Sequence, residues 1–316
     1  MVIWQTRNRL GRDTMSEVRI LVGDCRLILP SLDSHSFSAV VTSPPYWQAR
    51  DYGGRQGEVG RCDPDTWLSE IVSCMSCVRR VLVQDGLLWL NLGDRFAKGR
   101  TSVGGMEMRD GAIMLLPYRA AIALQQDGWH LRTDIVWNRT NVLPEPVRSR
   151  PVRCHETLLM LAHGPDYRYD ATAVREPATM KPQRRLSPRV RGRQEAAPDH
   201  RIGSDYQRDS VGLDTPDGLR HLRSVWTTTT TPGRHGHPAP FPEALVRTCL
   251  LASACPLGSY VLDPFGGSGT TALVAWRMGL SSMLIEVNED YALAARCRLL
   301  TEGVPENAIS IEYSKS

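Results

Sequence analysis

Tyr260-Val261-Leu262-Asp263-Pro264-Phe265-Gly266-Gly267-Ser268-Gly269-Thr270-Thr271 is the stretch whose reading decides the fold. The apolar run Tyr260 to Leu262 reads as a buried strand. The glycines after it form a loop whose backbone a ligand can approach closely. Ala272 to Met278 then reads as a helix, and Ser282-Met283-Leu284-Ile285 as a second strand ending on Glu286. Strand, glycine loop, helix, strand and terminal acid, with the acid a little over twenty residues past the first strand, make a nucleoside-binding crossover in a parallel sheet. The helix N-terminus offers donors and the acid suits a ribose diol. A P-loop would need a lysine before its hydroxyl residue, and Gly269-Thr270-Thr271 has none, which argues against nucleotide triphosphate hydrolysis. A dinucleotide fold would want G-x-G-x-x-G, whereas this loop is G-G-x-G behind Asp-Pro-Phe, a poor fit to a dehydrogenase.

The rest of the chain repeats the same alternation. Val18 to Val22 reads as a strand, Gly23-Asp24 as its end, and an amphipathic stretch runs on to Leu32 before the strand that closes at Thr42. A helix is expected over Trp67 to Val83, ended by Gly86, then a buried strand Leu87 to Leu92 closing on Gly93-Asp94. Helix Met114 to Gln126 and strands Leu131 to Trp137 and Glu156 to Leu161 follow. Such alternation predicts a mostly parallel sheet with helices on both faces. Lys98 to Gly111, with four glycines and no apolar periodicity, is expected to be a mobile loop. Asp24, at one strand tip beside another, reads equally as a polar ligand anchor or as a helix N-cap.

Thr42-Ser43-Pro44-Pro45-Tyr46-Trp47 stops a buried strand in a stiff polar tip. Two prolines fix their own φ and remove two donors, so the carbonyls of Ser43 and Pro44 stay out of helix or ladder. With the Ser43 hydroxyl and the Tyr46 and Trp47 rings, this set suits a planar base bearing an exocyclic amine; a Pro-Pro strand terminator with two core aromatics is the other reading.

The 316 residues are 41% hydrophobic, enough for one large α/β domain with insertions, and the net charge of +4 permits a nucleic-acid partner without requiring one. The eight cysteines sit mostly in apolar segments and read as reduced thiols of a cytoplasmic protein. Cys74 and Cys77 form a C-x-x-C inside a helix with no second pair nearby, which favours core packing over a metal site. No run is long enough to span a bilayer. The Arg-rich first residues are expected to be a disordered leader over 1–16, with Met15 as an alternative start. Between Pro165 and Leu222 long apolar runs disappear, and Lys181, Arg184, Arg185, Arg189, Arg191 and Arg193 occur with no acid among them. That block is either a solvated insertion or a phosphate-contacting element.

Thr42 to Trp47 and Leu262 to Thr271, in this order, resemble the catalytic and cofactor motifs of the β-class amino-methylating DNA methyltransferases. Gly23-Asp24, Leu90-Asn91-Leu92-Gly93-Asp94, Ile135-Val136-Trp137-Asn138 and His237-Pro238-Ala239-Pro240-Phe241-Pro242 extend the resemblance through most of the chain. It implies a Rossmann-like α/β methyltransferase fold with a permuted motif order. The catalytic half would occupy 17–164, a target-recognition insertion 165–222 carrying the six basic residues on DNA, and the cofactor half 223–316. It implies S-adenosylmethionine as cofactor. Asp263, Pro264, Phe265, Gly266, Gly267, Ser268, Gly269 and Thr270 would line its site, Glu286 would accept from the ribose and Asp24 from the adenine amine. No metal is implied, and His235 and His237 lack ligand spacing.

The implied reaction uses Ser43, Pro44, Pro45 and Tyr46 on an amine whose lone pair is delocalised into the ring. Acceptors at Ser43 and the Pro44 carbonyl would take its hydrogens, and Tyr46 would stack on a base flipped out of double-stranded DNA. In the resembled family serine at the first motif position is typical of cytosine-N4 enzymes, and aspartate or asparagine of adenine-N6 ones, so cytosine is expected and adenine is the alternative. Carbon-5 chemistry needs a cysteine in a Pro-Cys context, and the chain has no such dipeptide. A non-catalytic DNA-binding protein on the same fold is the remote alternative. A cognate restriction endonuclease is a possible partner, and the expected state is a monomer or homodimer.

Overall fold

The computed structural model describes residues 16–48, 59–60, 62–142, 144–178, 218–229 and 242–314. The leader residues 1–15, most of the loop Gln48 to Asp63, the six basic insertion residues, and the His235 and His237 region up to Phe241 lie outside the described residues. Two compact units are distinguished, Met1–Asp170 with Ser224–Ser316, and Ala171–Arg223. In the second, β8 (Glu176–Pro177) pairs antiparallel with β9 (Leu219–Arg220), and the Glu176 carboxylate accepts from both Arg220 and Arg223.

The first unit is built on one sheet. In chain order its strands are β1 (Val18–Val22), β2 (Phe37–Thr42), β3 (Leu82–Leu92), β6 (His130–Arg139), β7 (His155–Ala162), β10 (Val225–Thr228), β11 (Tyr260–Asp263), β12 (Ser281–Glu286) and β13 (Ile309–Tyr313). Their spatial order is β10-β6-β7-β3-β2-β11-β12-β1-β13. Within this sheet, as far as it is described, only β7 runs against its neighbours. The helices are α1 (Cys25–Ile28), α2 (Pro64–Val81), α3 (Leu116–Gln126), α4 (Glu243–Ala252), α5 (Thr270–Arg277) and α6 (Glu289–Thr301).

Side-chain alternation along the strands sorts these helices onto two faces. Leu21 of β1 and Met283 and Ile285 of β12 join Ile28, Trp67, Ile71 and Leu124 in a core beneath α1, α2 and α3. Their neighbours Ile20 and Leu284 point the other way, into a core with Leu273 of α5 and Ala295 and Leu299 of α6. Trp89 of β3 also faces that second side, donating to Ser253 at the end of α4 at 2.9 Å. The result is the expected mostly parallel sheet with helices on both faces. Among the described residues no helix is long and apolar enough to cross a membrane, and the Cys74 thiol packs in the first core 3.5 Å from Cys25.

Two expectations need correction. The second helix ends at Val81, and Gly86 lies inside β3 instead of ending a helix. Pairing with β2 shifts register from Phe37↔Leu82 to Ala39↔Leu87, so the strands crowd at this irregularity. A Cβ on Gly86 would stand 2.9 Å from the Ser38 carbonyl and 2.7 Å from Leu82, which is why the position takes glycine. Lys98 to Gly111, expected to lack regular structure, contains the hairpin β4 (Thr101–Val103) and β5 (Met106–Met108). Gly104 and Gly105 both have positive φ, the requirement of a two-residue turn matched to strand twist. Buried Val103, with Met108 partly buried against the same core, anchors the hairpin, contacts that periodicity does not reveal.

Leu88 is fully buried at the centre of β3. Leu88→Ala is expected to cost about 2–5 kcal/mol of unfolding free energy, read as a lower urea midpoint at unchanged slope.

Candidate active site

The sheet changes direction between β11 and β2. From β11 the chain crosses through α5 to β12 on one side, and from β2 it crosses through α2 to β3 on the other. Loops leaving these two strand ends therefore diverge and open a crevice, the usual ligand position in an open α/β sheet.

Asp263 closes the floor of that crevice. Its Oδ1 accepts from Thr42 Oγ1 at 2.7 Å and from the Phe265 amide at 3.1 Å, and its Oδ2 accepts from Thr271 Oγ1 at 2.7 Å. Burial raises its pKa to about 7, against these hydrogen bonds, which lower it. Asp263 thus ties the two sequence motifs to each other and both its oxygens are engaged within the protein.

The glycine loop is held from β12. The Gly266 amide donates to the Ile285 carbonyl at 2.8 Å, and a Cβ on Gly266 would meet that of Leu284 at 2.9 Å. The Gly267 amide donates to Glu286 Oε2 at 2.7 Å, and the Asn288 amide to Glu286 Oε1 at 2.9 Å. Gly269, with φ of 74°, turns the chain into α5. Arg298 on α6 braces the loop by donating to Ser268 Oγ at 3.2 Å and Thr270 Oγ1 at 2.8 Å. Pro264 is buried and Phe265 half-buried against the first core.

Asp24 follows directly from the neighbouring tip, where the Gly23 amide donates to the Glu286 carbonyl at 2.9 Å. It caps α1 through the Arg26 amide at 2.9 Å and receives the Arg26 guanidinium on both oxygens. Arg26 also reaches Glu70 at 2.5 Å. Of the two roles expected for Asp24, this geometry realises the N-cap.

On the other side of Asp263 stands the Ser43 to Tyr46 turn. Ser43 Oγ lies 3.1 Å from the Tyr46 hydroxyl, which donates to Glu156 Oε2 at 2.5 Å. Asn91 Nδ2 donates to Tyr46 Oη at 2.6 Å and Glu156 Oε2 at 2.8 Å, and lies 3.4 Å from Ser43 Oγ. Arg139 completes the group with a salt bridge to Glu156 Oε1 at 3.0 Å. A Cβ at Gly93 would lie 2.5 Å from the Tyr46 ring, so the absent side chain lets the ring lie on the strand end. Pro44 is buried, the Pro45 carbonyl accepts from Trp67 Nε1 at 3.0 Å, and Trp47 is buried with its indole donating to Cys62. Trp47 is therefore a core aromatic, while Tyr46 keeps partial exposure.

Arg139, Glu156 and Arg298 were not singled out from the sequence, and Asn91 and Gly93 entered only as part of the Leu90 to Asp94 resemblance, with no role in the site. The available signal was a buried polar residue in an apolar run, Asn91 within Leu87 to Leu92 and Glu156 before Thr157 to Leu161, since such groups need partners.

The raised pKa of Asp263 has a stability consequence. The folded carboxyl binds its proton more tightly than the unfolded one, so its contribution is fully present below about pH 4 and is lost as pH rises to about 7. Asp263→Asn is expected to flatten this part of the profile, measured as unfolding midpoints in a pH series; equal slopes in both proteins would contradict it.

Known proteins resemble this chain in sequence and fold. The model of the N6- and N4-methyltransferase family, described as DNA methylase, matches residues 37–296. The Type II methyltransferase M.SmaI of Serratia marcescens is 38% identical over 302 residues, covering 89% of this chain and 90% of that protein. The structure of PvuII DNA methyltransferase, described as cytosine-N4-specific, superposes with a TM-score of 0.64 at 20% identity over 93% of this chain and 89% of that one. A putative DNA modification methylase of Thermus thermophilus, solved with S-adenosylmethionine, gives 0.60 at 24% identity over 94% and 99%. The fold is that of these methyltransferases. By the family match over residues 37–296 and the 38% identity to M.SmaI, the chain belongs to the N6/N4 DNA methylase family.

Proposed function

We propose that this protein is a site-specific DNA methyltransferase that moves a methyl group from S-adenosylmethionine to the exocyclic N4 amine of cytosine, turned out of duplex DNA. The observation that carries the reading is the Asp263 to Thr42 hydrogen bond, which sets the glycine loop beside Ser43 and Tyr46.

The donor set suits the cofactor. Adjacent tips along the sheet present Asp24, Glu286, the glycine loop and then Ser43. Three strand spacings cover about 14 Å, room for an adenine, a ribose and a sulfonium-bearing chain laid end to end. Asp24, through a lone pair left beside the Arg26 contacts that cap α1, would accept from the adenine amine, and Glu286, beside its bonds to the Gly267 and Asn288 amides, from the ribose diol. Asp263, Pro264, Phe265, Gly266, Gly267, Ser268, Gly269 and Thr270 build the wall between them and the acceptor base. When bound, S-adenosylmethionine supplies an electrophilic methyl group that needs no further activation.

Ser43 Oγ and the Pro44 carbonyl accept the two amine hydrogens, favour a pyramidal nitrogen and aim its lone pair at the methyl group. Tyr46, lying on Gly93 and tied at its hydroxyl, offers a fixed ring against which a flipped base stacks. Ser43 at the first motif position supports cytosine over adenine, and the structural neighbour described as cytosine-N4-specific agrees with it. Lys181, Arg184, Arg185, Arg189, Arg191 and Arg193 belong to the proposal as DNA-backbone contacts. A cognate restriction endonuclease belongs to it as well, because the relative is named a Type II methyltransferase.

Tritium transfer from labelled S-adenosylmethionine to mixed-sequence DNA, followed by mass spectrometry of the nucleosides, is expected to yield N4-methylcytosine. N6-methyladenine would overturn the choice of base, and no incorporation would overturn the enzyme reading. Ser43→Ala and Tyr46→Ala are each expected to lower transfer by about 10²-fold or more with cofactor binding retained.

A further inference from the structure

Methylating an exocyclic amine leaves one proton to be removed, and Ser43 and Tyr46 are not by themselves a proton sink. We propose that Glu156 is the terminal acceptor of that proton, reached through the Ser43 and Tyr46 hydroxyls. This rests on the amino-methylation reading above and adds a group to it.

Donor counting sets the direction of the chain. The Asn91 amide has two hydrogens, and its two short contacts are Tyr46 Oη at 2.6 Å and Glu156 Oε2 at 2.8 Å. The single phenolic hydrogen of Tyr46 is directed at Glu156 Oε2, 2.5 Å away. In the 3.1 Å contact between the two hydroxyls Ser43 must therefore donate and Tyr46 accept. That leaves the Ser43 oxygen lone pairs toward the amine and orients every hydrogen from Ser43 to Tyr46 to Glu156. Glu156 is buried, and Arg139 engages its other oxygen at 3.0 Å, which holds Oε2 on Tyr46.

The step balances. The amine lone pair forms the carbon–nitrogen bond while the carbon–sulfur pair stays on sulfur. One amine proton passes to Ser43, the Ser43 proton to Tyr46 and the Tyr46 proton to Glu156. The positive charge of the sulfonium is cancelled as the carboxylate becomes a carboxylic acid. Glu156 touches neither base nor cofactor and acts through Tyr46, so it is a positioning residue that also takes the proton.

The charged and titratable groups around Glu156 are Tyr46 from the turn after β2, Arg139 from β6 and His155 beside it on β7. Burial, then Arg153 and Arg139, lower the pKa of His155, while Asp94 opposes them. An acid limb arising from His155 would survive replacement of Glu156, which separates the two.

The test is the single-turnover rate of tritiated methyl transfer by the full chain to unmethylated mixed-sequence DNA over acid to neutral pH, with S-adenosylmethionine binding measured on the same preparations. Glu156→Gln is expected to bind the cofactor as wild type does, to transfer about 10²-fold more slowly, and to lose the acid limb of the wild-type profile. Glu156→Asp should keep that limb at an intermediate rate. Tyr46→Phe keeps the ring on Gly93 and removes only the hydroxyl, so it should match Glu156→Gln, and it decides the question if that variant does not fold. A slow Glu156→Gln with an unchanged profile, or a Tyr46→Phe as fast as wild type, would overturn the proton role. If wild type transfers and Glu156→Gln equals it, this inference alone falls. If wild type transfers to no DNA at any pH, the methyltransferase reading falls with it.

Discussion

The hydrogen bond from Thr42 to Asp263 joins residues 221 positions apart, and the rest of the site depends on it. It fastens the last residue of β2 to the last residue of β11 at the place where the sheet reverses its direction of winding. A buried carboxyl is costly unless its oxygens are satisfied, and here two hydroxyls and a backbone amide meet them. The remaining cost appears in the raised pKa. In return the two loops that leave these strands have one relative position, and a ligand on the glycine loop lies next to the Ser43 turn.

The order of motifs in the chain and their order in space differ because parallel strands need not be sequential neighbours. β11 and β12, from the last third of the chain, lie between β1 and β2 from its start. Asp24, Glu286, the glycine loop and Ser43 thus fall in line along one edge of the sheet, although the sequence separates them by up to 262 positions between Asp24 and Glu286. Helices α1 to α3 on one face and α4 to α6 on the other bury both sides of these strands, so the edge is rigid. The glycine loop inherits that rigidity through its amide bonds to β12 and the Arg298 brace.

A second constraint is the polar cluster of Asn91, Glu156, Tyr46 and Arg139 between otherwise apolar strands. Hydrogen-bonded polar networks of this kind restrict the geometry, since a rearrangement would strand further buried donors or acceptors. The Asn91 side-chain oxygen is buried without a partner, so the amide is oriented by what its nitrogen donates to. Glu156 did not stand out in the sequence, and Asn91 only as one member of the Leu90 to Asp94 resemblance, because each is one polar residue beside an apolar run and its partner lies on another strand. Arg298 escaped notice for the same reason: it is one of the arginines on α6 until that helix is seen to pack beside the loop. Gly86 and the Gly104-Gly105 turn misled in a different way. Local propensity ended the helix in the wrong place and hid a hairpin, because strand pairing with β2 and the packing of Val103 and Met108 on the core outweighed it.

What the sequence determined by itself was whatever depends on near neighbours in the chain. Apolar runs, glycine turns and the strand, loop, helix, strand and acid pattern from Tyr260 to Glu286 are set by backbone sterics and burial within a few residues. These marked the alternating α/β class and both motifs. The tertiary structure decided which strand tips lie side by side, that Asp263 binds the protein, that Asp24 caps a helix and that Glu156 stands behind Tyr46. Each of these is a contact between strands, loops or helix ends, and hydrogen-bond partners at 2.5–3 Å are chosen by packing that no local pattern encodes.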